Sequence, residues 1–363
     1  MKPILRLILL LPVLLFSLVV HAQDDVAAQL DALIADIAPA DGPAVSARIT
    51  IGDETWAAAG GLVDVAGDTS ATPDDRFRIG SISKTFVAVT IMQLVEEGVL
   101  SLDDYLSDWV DAAILDDLAN AGEVTLYQLL TMTAGIPEYF DDEFFDAIYD
   151  DPTHEWSPGE VLDFARYQDA YFEPGDGFEY VNTNYILLQL VVQEATGTRL
   201  HEAVRERILD PLELNDTYSQ IHETLPGEFV HGYEDIEGDD TPEDVTLLND
   251  GAGLGDGAIV STTADLTRFY QGLFIEGQLL DDDSLDAMLD AADEETEYGI
   301  GLEVFDSDYG LLVGHTGAVF GFTGAIFYAE ELDTIVTILY ASDSLDMDDV
   351  FALLDIAASS GVE

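Results

Sequence analysis

Ser81 and Lys84 are the two residues whose types and spacing most directly suggest chemistry. They stand three apart in Phe77-Arg78-Ile79-Gly80-Ser81-Ile82-Ser83-Lys84-Thr85-Phe86, at the start of an apolar run, so on a helix both side chains leave one face. A serine can attack a carbonyl if a neighbouring base takes its proton, and an amine one helical turn on can hold or move that proton. The positions three and four residues from Lys84 are Ser81, Val87, Gly80 and Ala88, so no local carboxylate explains the lysine. The chain has 11 Lys+Arg against 74 Asp+Glu, and its only lysines are Lys2 and Lys84. Burying such a cation is costly. A merely solvated lysine in a first turn would meet the positive end of the helix dipole.

The element that carries this pair is legible. Phe86, Val87, Val89, Ile91, Met92, Leu94 and Val95 fall on every side of a 3.6-residue period. That distribution predicts a helix buried all round, stopped by Gly98. Further on, Tyr180-Val181-Asn182 on an extended segment or turn directs Tyr180 and Asn182 to one side. Near the C-terminus His315-Thr316-Gly317-Ala318 falls in a strand pattern, where Gly317 lets another chain or a ligand approach the backbone.

Taken together, these blocks resemble the β-lactamase-related serine hydrolase family, whose members include class C β-lactamases, D,D-peptidases, D-aminopeptidases and carboxylesterases. Ser-x-x-Lys alone is a weak signal; the whole Phe77–Asp104 block is a strong one, and the resemblance extends over nearly all of the chain beyond its leader. It implies Ser81 as nucleophile with Lys84 as its proton partner. It also implies Tyr180 as general base and Asn182 as the group that holds the substrate amide and the lysine. His315, Thr316, Gly317 and Ala318 would form the substrate-binding edge. The backbone N–H groups of Ser81 and Ala318 would make the oxyanion hole. No cofactor and no metal site is implied.

Two departures stand out. The family's Leu-Leu-x-His-Thr-Ser-Gly-Leu is here Leu129-Leu130-Thr131-Met132-Thr133-Ala134-Gly135-Ile136, a segment read as structural. His315 replaces the lysine of Lys-Thr-Gly. β-Lactams and D-Ala-D-Ala termini carry a carboxylate that wants a fixed cation, which a histidine supplies only in part near neutral pH. This directs the reading toward esters or small peptide amides, with a β-lactamase or D,D-carboxypeptidase as the alternative. A non-catalytic binder of cell-wall peptides is the alternative of another class. A zinc site at His315 lacks a paired histidine, and the glycine-rich Gly251–Gly257 lacks the Lys-Ser or Lys-Thr of a phosphate loop.

The 363 residues suit one large or two intimate domains. Absent cysteine excludes disulfides, thiolate metal sites and a thiol nucleophile. Lys2 and Arg6 precede an apolar run from Leu7 to Val20 and a small-residue site at Ala22, the pattern of a cleaved export signal over residues 1–22. The run is short for a membrane span, so an exported chain without a stable span is expected. The formal net charge is −63, and losing the leader makes it two units more negative. Such a surface disfavours nucleic acid and anionic membranes as partners and fits a solvated acidic shell. Its field would also favour protonated Lys84 and neutral Tyr180. The expected partner is a small ester or peptide substrate; oligomeric state is left open.

Period-two apolar patterns predict strands at Ala44–Ile51, Thr55–Val63, Tyr298–Phe305, Leu311–His315, Phe322–Tyr328 and Thr334–Tyr340, with helices over Asp25–Ile37, Tyr185–Ala195 and Asp343–Ala358. Strands at both chain ends pair most economically in one sheet. The predicted fold is therefore α+β, an α/β sandwich of β-lactamase/transpeptidase type. Its mainly antiparallel sheet is built from both chain ends with flanking helices. The expected division places residues 23–80 and 255–363 in a discontinuous sheet domain. Residues 81–254 would form an inserted, mostly helical domain carrying Ser81, Lys84 and Tyr180. The acidic stretch Glu228–Asp250 is expected as a lid or surface loop.

Overall fold

The computed structural model describes residues 25–361 apart from 228, 237, 239, 240 and 292–295; the export signal expected over residues 1–22 lies outside the described residues. A helix, α1, covers residues 25–37. It is followed by the hairpin β1 (Val45–Ile51) and β2 (Glu54–Gly60). Four strands return near the C-terminus: β3 (Glu303–Ser307), β4 (Gly310–Val319), β5 (Phe322–Ala329) and β6 (Thr334–Tyr340). All six make one antiparallel sheet in the order β2-β1-β6-β5-β4-β3. The seam between the chain ends is β1 on β6, in register from Val45 opposite Tyr340 to Ile51 opposite Thr334.

β6 shows why the sheet forms here. All seven residues of Thr-Ile-Val-Thr-Ile-Leu-Tyr are buried, and they divide between two cores by alternation. Ile335 and Leu339 enter the large core. Val336, Ile338 and Tyr340 enter the second, with Val26, Leu30 and Ile34 of α1 and Val350, Leu353 and Leu354 of the last helix, Met347–Ser359. A strand buried on both faces is the centre of a helix–sheet–helix sandwich. On the large-core side, the helix Thr263–Tyr270 lies over the sheet; Thr267 and Thr337 pair their hydroxyls at 3.2 Å, and Arg48 Nε donates to Thr263 Oγ1 at 3.4 Å.

Two helices bring the site to the sheet. α2 (Ser83–Glu96) is buried almost throughout, from Ser83 to Met92 and at Leu94, as its all-round apolar pattern predicts. Phe86 stacks on Phe269 with ring centroids 3.9 Å apart. α3 (Thr183–Thr196) packs beside it and ends at Gly197 in the left-handed conformation, φ 69°.

Three sequence expectations change. Tyr298–Leu302 is not strand. It is a turn whose Gly301, φ +68°, presses against α2 so closely that a Cβ there would meet Ala88 Cβ at 2.4 Å. β4 runs four residues beyond the expected end at His315, and those residues carry the site edge. The stretch expected as a lid or surface loop contains a short ribbon, Tyr233–Glu234 paired with Glu243–Asp244. Its far end is held by buried Arg78, whose guanidinium donates to Thr246 O at 2.8 Å and Leu248 O at 3.0 Å. Among the described residues no helix is long and apolar enough to cross a membrane.

Candidate active site

Ser81 sits in a single tight turn, Gly80–Ile82, immediately before α2. The turn is pressed against β4. Gly80, φ +52°, would meet Ala318 N at 2.7 Å with a Cβ, and a Cβ on Gly317 would meet Ile79 O at 2.1 Å. Only glycine fits either position. The two glycines thus set the backbone of Ser81 against that of Ala318, the approach that a paired N–H oxyanion hole requires.

Lys84 is completely buried. Its Nζ donates to Ser81 Oγ at 2.9 Å, to Asn182 Oδ1 at 2.7 Å and to the backbone carbonyl of Asp256 at 3.1 Å. Three acceptors match the three hydrogens of an ammonium. Burial nevertheless lowers the lysine to about 8, with Asp256, Glu138 and Glu303 pulling in the opposite direction. The face of Tyr180 lies 4.9 Å from Nζ. About a third of Tyr180 is exposed, but its hydroxyl end is enclosed. Burial therefore raises the phenol well above its ordinary range, while a hydrogen bond from Ser81 pulls it down. At neutral pH Tyr180 is a phenol, and Lys84 is the group near its titration point.

Asn182 caps the start of α3 with helical angles, φ −66°, ψ −35°. It is held by a residue that sequence reasoning passed over. Glu138 Oε2 accepts from Asn182 N at 2.6 Å and Nδ2 at 3.1 Å; Oε1 accepts from Tyr139 N at 2.7 Å, Phe140 N at 3.0 Å and Thr183 Oγ1 at 3.3 Å. With Nδ2 fixed on a carboxylate, the amide must turn Oδ1 to Lys84. Glu138 follows the bend Gly135-Ile136-Pro137, directly after the segment that departs from the family pattern.

A second residue outside the expected set is Asp256, the polar member of the glycine-rich stretch. Gly255 comes so close to α3 that a Cβ would meet Tyr185 O at 2.5 Å, and its N–H donates to Gln189 Oε1 at 2.8 Å. This docking presents the Asp256 carbonyl to Lys84. The Asp256 side chain is buried; Oδ2 accepts from Tyr139 OH at 2.6 Å, and Oδ1 has no partner. Burial raises this carboxyl to about 6, against the pull of Lys84 and Tyr139. Gly255 therefore serves close packing.

His315 is not in contact with the open part of the site. It is 1% exposed. Nδ1 lies 2.5 Å from Thr316 O, and a carbonyl only accepts, so Nδ1 carries the proton and Nε2 accepts from Tyr298 OH at 3.1 Å. Burial, opposed by Glu303, lowers its pKa. It is a neutral framework group. Thr316, Gly317 and Ala318, expected with it on the substrate-binding edge, line the cavity beside Ser81.

Ser81 stands between two cavities. One, of about 450 Å³, is lined by Ser81, Tyr180, Glu303, Thr316, Gly317, Ala318, Thr323, Leu345 and Met347. The other, of about 220 Å³, is lined by Ser81, Phe140, Tyr180, Asn182, Asp250, Gly251, Asp256, Gly257, Ala318 and Val319. Both suit parts of a small molecule. No cluster of metal-ligating side chains occurs among the described residues.

The chain resembles known proteins over most of its length. The family model described as Beta-lactamase matches residues 30–359. Penicillin-binding protein 4* of Bacillus subtilis is 28% identical over 280 residues, covering 72% of this chain and 59% of that protein; the chain thus spans well under two thirds of its relative's length. Among solved structures, the D-stereospecific amidohydrolase from Streptomyces sp. superposes with a TM-score of 0.79 at 26% identity, covering 91% of this chain and 97% of that one. The D-amino acid amidase from Ochrobactrum anthropi SV3, complexed with L-phenylalanine amide, also gives 0.79 at 26% identity, covering 94% of this chain and 100% of that one.

Proposed function

The chain belongs to the beta-lactamase family, and from that premise we propose that it is a serine hydrolase that cleaves esters or small peptide amides through an acyl-enzyme. Neutral Lys84 takes the Ser81 proton across their 2.9 Å contact as Oγ attacks the carbonyl carbon. The N–H groups of Ser81 and Ala318 hold the developing oxyanion. The Tyr180 phenol, which lines both cavities with Ser81, passes a proton to the leaving oxygen or nitrogen and recovers one from Lys84. Water then repeats the sequence on the acyl-enzyme and frees Ser81. Asn182, fixed by Glu138, keeps Lys84 aimed and is placed to accept a substrate amide.

One observation carries this reading: a lysine with no exposure, lowered to about 8, in direct contact with the serine at a helix start. A structural lysine would be held charged by a carboxylate partner; this one is held by two neutral oxygens and its serine. The D-amino acid amidase and D-stereospecific amidohydrolase neighbours favour the amide side of the range. Export through residues 1–22 belongs to the same proposal.

The test is covalent. A fluorophosphonate should label Ser81 stoichiometrically, and Ser81→Ala should remove both labelling and turnover of short-chain p-nitrophenyl esters and D-amino-acid amides. A folded wild-type chain that neither labels nor turns over any of them would instead favour a binder of cell-wall peptides.

A further inference from the structure

The cavity on the β4 side of Ser81 contains a carboxylate whose position has consequences for substrate choice. Glu303 opens β3, opposite Gly314 of β4, and its side chain is 23% exposed. Oε1 accepts from Thr316 N at 3.0 Å and from Thr316 Oγ1 at 2.6 Å. These are the donors that the strand edge would otherwise offer to an anionic substrate group. The carboxylate is thus an internal anion seated where a substrate carboxylate would be held. His315 Nδ1 lies 3.4 Å from Oε1. That ring donates through Nδ1 to Thr316 O and is lowered by burial, so it does not neutralise Glu303. Among the described residues neither cavity beside Ser81 has an Arg, Lys or His in its lining, whereas Glu303 faces one and Asp250 and Asp256 border the other.

We infer that Glu303 makes the β4-side cavity a cation-accepting subsite. It selects substrates bearing an ammonium or other cationic group there and rejects those bearing a carboxylate. The inference rests on the acyl-enzyme reading and names its substrate class. A protonated amine entering the cavity finds the outer oxygen of Glu303 as a charge-assisted acceptor. A carboxylate finds its donors taken and a like charge within contact distance. Leu345 and Met347 supply an apolar wall for the methylene or aryl stem of such an amine.

The discriminating experiment uses thioesters of phenylacetic acid with thiocholine, 2-mercaptoethanol and mercaptoacetate, which place a positive, neutral or negative charge on the leaving group; the quaternary ammonium of thiocholine cannot take the acyl group from sulfur. A second set puts the same charges on the acyl part. Released thiol is followed at low and at molar salt. For the set that meets the cavity, kcat/KM should fall in the order cation, neutral, anion, with roughly tenfold between neighbours at low salt. Glu303→Gln keeps the size and one acceptor and should collapse the cation-to-anion ratio by about tenfold or more, relative to the neutral thioester. The whole-chain charge changes by one unit in that variant, so a large collapse is local; an effect of the acidic shell would fade with salt in both proteins equally. A ratio that Glu303→Gln leaves unmoved in both sets overturns the inference. Protection of Ser81 from fluorophosphonate by benzylamine, benzyl alcohol and benzoate reads the same order without turnover. If Ser81→Ala still cleaves the neutral thioester, it is the acyl-enzyme reading that fails.

Discussion

The two cavities flanking Ser81 both contain carboxylates, and these do opposite work. On the strand side, Glu303 keeps an exposed edge and sits on donors of β4, so it meets what enters. On the loop side, Asp256 is buried, raised to about 6, and tied to Tyr139, with its backbone carbonyl on Lys84; Asp250 is likewise buried, raised by burial, and accepts from Phe320 N. These carboxylates meet the buried Lys84 and the framework. The difference is one of enclosure. A carboxylate at a solvated cavity wall acts through its charge on ligands, whereas one sealed beneath the wall acts through the pKa of its neighbours.

The largest effects test whether the two sides share one reaction centre. Ser81→Ala should reduce kcat/KM for the best substrate by at least about a thousandfold, and Lys84→Ala should cost nearly as much. Circular dichroism should show a folded chain for Ser81→Ala, since one hydroxyl and little volume are removed. If Lys84→Ala retained a tenth of the activity, the loop-side carboxylates would have no catalytic lysine to act on, and the comparison would lose its basis.

Next in size is Glu138→Gln. The amide replaces one of two oxygens that together accept five hydrogen bonds, leaving a buried donor facing a donor, a loss of about 1–3 kcal/mol. A lower Tm by several degrees is expected, with kcat reduced more than KM is raised, because Asn182 loses its aim at Lys84. Unchanged kcat with a lowered Tm would reduce Glu138 to a stability role.

The sheet and α2 were legible because their signals are local and periodic. β6 alternates between two cores, and α2 is apolar on every side. The Ser81–Lys84 pair was legible because Lys84 is so rare a residue type in this chain. Tyr180 and Asn182 were found through the resemblance, and the structure brings both to Lys84. Glu138, Asp256 and Glu303 were not read, for a common reason: among 74 acidic residues a functional carboxylate has no compositional contrast. Each does follow a glycine-containing bend, at Gly135, Gly255 and Gly301, which is the local sign of backbone held close to something. His315 misled in the other direction. A strand residue facing the core and one facing a cavity alternate without distinction in sequence, and only the partners of Nδ1 and Nε2 reveal that this ring is inside.

A smaller effect separates the two kinds of carboxylate directly. Asp256→Asn keeps an acceptor for Tyr139 OH and removes the buried charge. Asp256 holds Lys84 up, so the variant should move the acidic limb of kcat/KM, expected near the lysine's value of about 8, to lower pH; Glu303→Gln should move it less. Stability follows the same logic. A carboxyl raised to about 6 in the folded chain binds its proton more tightly there than when unfolded. Its stabilising contribution is present at low pH and is lost as pH rises through about 6. The Tm of Asp256→Asn relative to wild type should therefore climb between roughly pH 4 and 7. A flat difference would place Asp256 outside the titrating set.

The smallest effect concerns the acidic shell. A net charge of −63 makes the distant field favour protonated Lys84, and salt screens that field over about 8–10 Å. The acidic limb should accordingly drift to lower pH as salt rises. Enclosure limits the drift. Lys84 has no exposed surface, its value is set first by burial, and the opposing charges are the nearby Asp256, Glu138 and Glu303, which bulk ions screen poorly. The drift should stay under about half a pH unit from low to molar salt and should be smaller than the shift caused by Asp256→Asn. Tm should rise over the same range as self-repulsion among surface carboxylates eases. The measurement is kcat/KM against pH at several salt concentrations, with a neutral ester so that steering of a charged substrate drops out. A drift larger than the Asp256→Asn shift would show that the shell, and not the sealed carboxylates, sets the lysine, and would reverse the division drawn between the two sides of Ser81.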